Sequence, residues 1–213
     1  MAQYFEIHPR DPQKRLIHQA AEMIRDGGVI AYPTDSSYAL GCRLDDKDAA
    51  ERIRRIRRVG PEHNFTLVVK DLAEIATYAR VENDQYRMLK SLTPGPFTFI
   101  LPATREVPRR LQHPKRKTIG IRVPDYPIVR ALLEELGEPL MSSTLIMPGD
   151  TMPLSDPALI RERLEHEVAL VIDGGPCGME PTSVIEWTDD VPRVTRSGKA
   201  DSRLEFLQQG EYA

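Results

Sequence analysis

Apolar residues recur along this chain with two different periods. Leu16, Ile17, Ala20, Ala21 and Ile24 keep helical spacing, which predicts a first helix over residues 12–26, opened by Pro12 and stopped by Gly27-Gly28. Val29-Ile30-Ala31-Tyr32 reads as a short buried strand, cut off by Pro33, which has no N–H to give a sheet ladder. The polar turn Thr34-Asp35-Ser36-Ser37 follows, with Tyr38 behind it. Such a turn at a strand end is a common ligand site in α/β sheets, and equally a surface turn capped by its own side chains. A second helix, over 46–58, begins with acidic residues and ends in Arg52, Arg54, Arg55, Arg57 and Arg58. The loop 59–64 leads to a strand at Phe65–Val69, then short helices from Asp71 to about Arg80 and over 83–91. The rigid Thr93-Pro94-Gly95-Pro96 turn feeds a strand at Phe97–Leu101, and Thr118–Pro124 reads as another. Ile128–Leu136 is an amphipathic helix closed by Gly137. Leu140–Thr144 is a strand ending in hydroxyls, Met147–Asp150 a loop, and Asp156-Pro157 opens a helix to about Glu165. Ala169–Asp173 is a buried strand broken by Gly174-Gly175-Pro176. Ser183–Trp187 and Arg193–Arg196 form a hairpin about Asp189-Asp190, and the tail from Lys199 is polar.

Strands and helices alternate, with antiparallel pairs intruding, so the chain is predicted to be one α/β (α+β) layered domain around a mixed sheet. At 213 residues, 40% hydrophobic and 29% charged, it is of ordinary globular composition. The net charge of -3 gives no global drive toward nucleic acid or an anionic membrane, so any anion binding must come from local patches. Cys42 and Cys177 lie far apart without metal-ligand spacing and read as reduced thiols of a cytoplasmic protein. The first residues lack the plan of a signal peptide, and no window approaches the ~20 apolar residues of a membrane span. No membrane partner is expected.

The chain has neither Gly-x-x-x-x-Gly-Lys-Ser/Thr nor Gly-x-Gly-x-x-Gly after a strand, and no Gly-x-Ser-x-Gly elbow. His8, His18, His63, His113 and His166 show no ligand spacing and read as surface residues. Phosphate, if handled at all, would be met by arginines, hydroxyls and backbone groups. The run at Arg52–Arg58 and the second basic region Arg105–Lys117 are either solvated faces or phosphate grips, since a guanidinium fork matches phosphate oxygens. Arg122 stands in an apolar strand, where an unpaired cation is costly. A carboxylate or an anionic ligand must answer it, and ligand contact is the favoured reading. Ser142–Thr144 either offer donors to phosphate or simply turn the chain.

Several stretches together resemble the YrdC-like family: Tyr32-Pro33-Thr34-Asp35-Ser36-x-Tyr38-x-Leu40-Gly41-Cys42, Thr93-Pro94-Gly95-Pro96-x-Thr98, Gly120-Ile121-Arg122-Val123-Pro124 and Pro181-Thr182-Ser183-Val184-Ile185. They occur in the family's order over nearly the whole chain. Pro108-Arg109-Arg110-Leu111, Lys115-Arg116-Lys117-Thr118-Ile119-Gly120 and His63-Asn64-Phe65-Thr66-Leu67 look closest to its YciO branch. The resemblance implies a single domain over 1–213, with the motifs within about 12–198, and a twisted mixed sheet flanked by helices around a concave basic cavity. It also implies an L-threonylcarbamoyladenylate synthase-like activity. Threonine, bicarbonate and ATP would give threonylcarbamoyl-AMP and pyrophosphate for tRNA modification, with Mg²⁺ carried on ATP and no direct protein ligands to the metal. By the same resemblance Thr34, Ser36 and Tyr38 line the substrate pocket, Arg57 and Arg122 are the catalytic cations, Ser142 to Thr144 face the triphosphate and Arg196 approaches the nucleotide. Double-stranded RNA or tRNA would meet Arg54, Arg55, Arg58, Arg109, Arg110, Lys115, Arg116 and Lys117, and tRNA-modification proteins are implied as partners.

Two places depart from the synthetases. Their Lys-x-Arg reads Arg57-Arg58-Val59 here, and their Ser-x-Asn reads Thr144-Leu145-Ile146. Arg57 keeps the charge, Val59 removes a cation and Ile146 removes a polar anchor. Loss of one transition-state donor costs roughly 10²–10³ in rate, so a weakened synthase is expected. The alternatives are an RNA- or tRNA-binding protein without synthase activity, and an enzyme for another acid.

Overall fold

The amphipathic stretches fold as helices and the short apolar runs as strands. The computed structural model describes residues 1–188, 191–199 and 201–204. In chain order the elements are β1 (Gln3–Glu6), α1 (Lys14–Arg25), β2 (Ile30–Tyr32), β3 (Ala39–Arg43), α2 (Lys47–Arg57), β4 (Thr66–Val68), α3 (Leu72–Tyr78), α4 (Asn83–Leu92), β5 (Phe97–Pro102), β6 (Thr118–Arg122), α5 (Pro127–Leu136), β7 (Leu140–Thr144), α6 (Pro157–Leu164), β8 (Leu170–Asp173), β9 (Ser183–Thr188) and β10 (Val191–Arg196). Short 3₁₀ turns lie at Arg109–Leu111 and Asp201–Leu204. Among the described residues ten strands form one mixed sheet, in the order β1-β8-β2-β3-β7-β4-β6-β5-β9-β10. This is the single mixed α/β domain that the alternation of elements predicts.

Three features were not anticipated. β1 adds a parallel edge beside β8, β3 runs antiparallel between β2 and β7, and Leu204 is buried. The last corrects the expectation of a polar tail over 201–204. The turn expected at Asp189-Asp190 and the rest of the tail lie outside the described residues.

Helix ends follow their capping residues. Asp46 accepts the Ala49 N–H at 2.8 Å to start α2, and Asp71 accepts that of Glu74 at 2.8 Å to start α3. On one sheet face Ile17, Ala20, Ala21 and Ile24 of α1 pack with Ile128, Val129, Leu132 and Leu133 of α5 over Ile30, Tyr32, Leu140 and Leu170. On the other face Ile53 and Ile56 of α2, Leu89 of α4 and Ile160 of α6 cover Leu40, Leu67, Met141 and Phe99. Gly41 lets β3 pass its neighbour, since a Cβ there would stand 2.7 Å from the Tyr32 ring.

Alternation along the strands then creates a hollow. Leu67, Ile121, Phe99 and Ile185 of β4, β6, β5 and β9 point into the second core. The residues between them, Thr66, Gly120, Thr98 and Val184, point the other way. There α1 and α5 do not cover the sheet, and these four line a cavity. Gly120 keeps its floor low: a Cβ would sit 3.3 Å from both Thr66 Oγ1 and Thr98 Cγ2.

Candidate functional site

The cavity has a volume of about 270 Å³. Arg57, Arg122 and Arg196 line it together with Ser142, Ser143 and Thr144, and no Asp or Glu is among its described lining residues. Five of the eight residues expected in a substrate pocket, namely Arg57, Arg122, Ser142, Thr144 and Arg196, are thus brought together. Thr34, Ser36 and Tyr38 are not among them. The Thr34 hydroxyl donates to the Ser37 carbonyl at 2.7 Å and accepts the N–H groups of Ser36 and Ser37, each at 3.2 Å. It clamps the turn from inside. Tyr38 is fully buried, and its hydroxyl donates to the Gly175 carbonyl at 2.9 Å. Ser36 faces Arg122, whose Nη1 donates to its Oγ at 3.3 Å. These three hold the turn: their hydroxyls bond within it or to groups packed against it.

Arg122 does find a carboxylate. Its Nη2 donates to Asp35 Oδ1, and Asp35 Oδ2 also accepts the Asp125 N–H at 2.9 Å. The buried arginine is thus a structural partner of the turn, and it lines the cavity as well. Its Nε is buried without a hydrogen-bond partner.

Arg57 and Arg196 are held differently, by neutral groups. Arg57 Nη1 donates to Ser143 Oγ at 2.6 Å and to His63 Nε2 at 3.1 Å, and its Nε to the Ile146 carbonyl at 3.4 Å. Arg196 Nη2 donates to both the carbonyl and Oγ1 of Thr182 at 2.9 Å, and Thr182 Oγ1 is 2.7 Å from Thr98 Oγ1. Burial lowers the pKa of both arginines, Arg122 adding to the effect at Arg196. A guanidinium stays charged at neutral pH all the same. The cavity thus presents two cations, the half-buried Arg57 and the more exposed Arg196, with no carboxylate partner among the described residues, an arrangement relieved by an anion.

His63 is the residue that sequence reasoning missed, and it stands beside Ser143, one of the hydroxyls expected to face phosphate. Arginine can only donate, so Nε2 of His63 carries the lone pair and the Ser143 hydroxyl, 2.9 Å away, donates to it. Burial, followed by Arg57 and Arg54, depresses His63 from 6.5 to about 4, while Glu62 pulls weakly the other way. This is not an activated serine: the lone pair that would take its proton is shared with an arginine N–H on a weakly basic ring. A pH effect follows. Above 6.5 neither state of His63 binds a proton; below it the unfolded chain does and the folded one does only near 4. Stability is expected to fall as pH drops through that window. Urea unfolding of wild type and His63→Gln between pH 7 and 4 checks this, the variant showing the shallower fall.

Ser142 Oγ meets the Tyr32 hydroxyl at 2.7 Å, and burial pushes that phenol up to about 12, so it stays protonated. Among the described residues no group of three or more His, Cys, Asp or Glu is placed to hold a metal ion. Cys42 and Cys177 are free thiols, and burial pushes Cys177 up to about 11. Among the described residues no helix is long and apolar enough to cross a membrane.

None of the eight expected RNA contacts lines the cavity. Arg54 pairs with Glu51 and lies 4.9 Å over the Phe65 ring, which gives it a structural place. Arg55 and Arg58 border a separate groove with Met147 and Arg163. Arg110 donates to the Leu44 carbonyl at 3.0 Å, Arg116 pairs with Glu186, and Lys117 donates to the Pro114 carbonyl at 2.7 Å. Arg109 and Lys115 are exposed.

Residues 22–198 match the Sua5/YciO/YrdC family, described as "Telomere recombination". The chain belongs to this family. It is 57% identical to the uncharacterized protein YciO of Escherichia coli K12 over 201 residues, covering 94% of this chain and 98% of that one. The crystal structure of E. coli YciO superposes with a TM-score of 0.91, covering 95% of this chain and 98% of that one at 56% identity. At greater distance, the chain is 28% identical to the threonylcarbamoyl-AMP synthase of Bacillus subtilis over 91% of its own length and 55% of the synthase. P. abyssi Sua5, solved in complex with L-threonine, shares the fold with a TM-score of 0.86 at 24% identity, covering 96% of this chain and 60% of Sua5. This Sua5/YciO/YrdC chain therefore stands near YciO, with threonylcarbamoyl-AMP synthases among its distant relatives.

Proposed function

We propose that this chain binds ATP and threonine in the cavity and forms threonylcarbamoyl-AMP, slowly, releasing pyrophosphate. The observation that carries the reading is the pair of cavity-lining guanidiniums, Arg57 and Arg196, held by neutral groups beside the hydroxyls of Ser142 and Thr144. The threonine amine and bicarbonate give a carbamate and water. A carbamate oxygen then displaces pyrophosphate from the α-phosphorus. Such a transfer needs alignment and charge stabilisation more than a base, which suits a cavity of arginines and hydroxyls with a histidine too weakly basic to act at neutral pH. The lining fits Mg²⁺ only as an ion carried by phosphate oxygens and water, since it offers hydroxyls and no carboxylate. Bound so, the metal offsets phosphate charge. The Sua5 complex with L-threonine and the name of the Bacillus subtilis relative support the substrate choice. Slowness follows from Ile146, which lines the cavity and engages Arg57 through its carbonyl, not its side chain. A cytoplasmic setting among tRNA-modification proteins belongs to the same reading.

The test is pyrophosphate release from ATP and Mg²⁺ with threonine and bicarbonate added or withheld. Release that needs both and falls in Arg57→Ala supports the synthase. ATP bound without release under any of these conditions points to an enzyme for another acid. A second reading, a double-stranded RNA or tRNA binder without synthase activity, is favoured by the exposed cations Arg55, Arg58, Arg109 and Lys115 outside the cavity. It predicts tRNA binding that weakens steeply with salt.

A further inference from the structure

Where the synthetases carry a lysine, this chain carries Arg57. An ammonium is a compact charge that works in almost any orientation, whereas a guanidinium is a planar fork whose plane must be set. Here the chain sets it. Arg58 ends α2 in the left-handed region, at φ 49°, and the loop behind it returns His63 to the side of Arg57. Ser143 Oγ and His63 Nε2 take Nη1 at 2.6 and 3.1 Å, and the Ile146 carbonyl takes Nε at 3.4 Å. The histidine is itself fixed. Its ring stands edge-on to Phe65 at 5.4 Å and 88°, and its backbone N–H donates to the Gly60 carbonyl at 3.1 Å, which holds the loop.

We propose that His63 is a positioning residue which, with Ser143, sets the guanidinium plane of Arg57 so that its remaining N–H groups meet the oxygens of a phosphate-bearing ligand. The clamp takes the place of the lysine that this chain lacks. It explains why one polar group of the cavity wall is a histidine kept neutral: a protonated ring could not accept from Arg57. Phe65 keeps the ring upright and Ser143 closes the triangle, so all three sides of the cluster are built from buried or half-buried groups. The inference rests on the cavity being a phosphate site, as proposed above.

Calorimetric titration of the full chain with inorganic pyrophosphate, at one salt concentration, tests it. His63→Ala is expected to weaken the Kd about five- to tenfold, the loss expected for a hydrogen bond that orients a charged group. In His63→Gln the amide oxygen can accept from Nη1, and the Kd should return to within about twofold of wild type. Ser143→Ala should weaken binding too, and Arg57→Ala most of all. Thermal midpoints of the two His63 variants should stay close to each other, which separates orientation from folding. Wild-type affinity in His63→Ala, or equal losses in the alanine and glutamine variants, overturns the positioning role while leaving the phosphate site standing. Absence of pyrophosphate binding by the wild type overturns the site and this inference together.

Discussion

Arg122→Ala is expected to destabilise the protein by about 3–5 kcal/mol, because removing one member of a buried ion pair strands the other. Both side chains are close to nine-tenths buried, at 10% and 9% exposure. Asp35 would be left with one amide donor, the Asp125 N–H at 2.9 Å. For a chain of this size the loss corresponds to a fall of roughly 10 °C in Tm. Arg122→Lys should cost less than alanine, since it keeps a charge for Asp35 and removes the Nε donor that has no partner. Replacing both residues with apolar ones, Asp35→Leu with Arg122→Met, should recover part of the loss, as apolar substitutes for buried pairs often do. Urea unfolding of the three variants beside wild type checks the series. An Arg122→Ala protein within about 1 kcal/mol of wild type would mean that water reaches Asp35 and that the pair is a surface one in energy.

Phe65→Ala is expected to cost a similar amount, about 3–5 kcal/mol, as a large core deletion does. The ring is 1% exposed and packs in the core beneath α2. It does more than fill space. It meets the His63 ring edge-on and carries the Arg54 guanidinium at 4.9 Å on its face. Phe65→Leu separates the two jobs. It keeps most of the apolar volume and should cost at most about 1.5 kcal/mol. It nevertheless removes the edge against which His63 stands, so pyrophosphate affinity should drop in the leucine variant nearly as far as in the alanine one. Thermal unfolding and calorimetric titration of the same two proteins decide it. A leucine variant that binds pyrophosphate like wild type would show that the loop holds His63 without the ring.

Periodicity made most elements readable, and where it failed the reasons are local. β3 contains Gly41 and is buried on both faces, so its residues neither alternate nor favour strand by type. β1 is four residues long with a polar residue at each end, and exists because β8 offers it an edge. At the site, Arg122 was found because a cation in an apolar strand is conspicuous, yet its partner sits 87 positions earlier and no spacing announces it. Thr34 and Tyr38 were placed in the pocket by resemblance. The direction of a side chain in a turn depends on backbone angles that residue type leaves open. His63 stands in a stretch that carries the resemblance, but nothing in its spacing announces a contact with Arg57, which it reaches because a left-handed Arg58 folds the loop back.

The bare half of the sheet face has an evolutionary consequence. On β4, β6, β5 and β9 the residues of the cavity floor alternate with residues of the core behind it. Substitutions at Thr66, Thr98 or Val184 can therefore reshape what the hollow accepts while Leu67, Phe99 and Ile185 go on packing undisturbed. Insertions and deletions have no such freedom. A single added residue in one of these strands would exchange the two sets, turning leucine and phenylalanine into the hollow and threonine into the core. Ligand preference in this lineage can drift by point mutation, and the strand lengths that separate floor from core cannot.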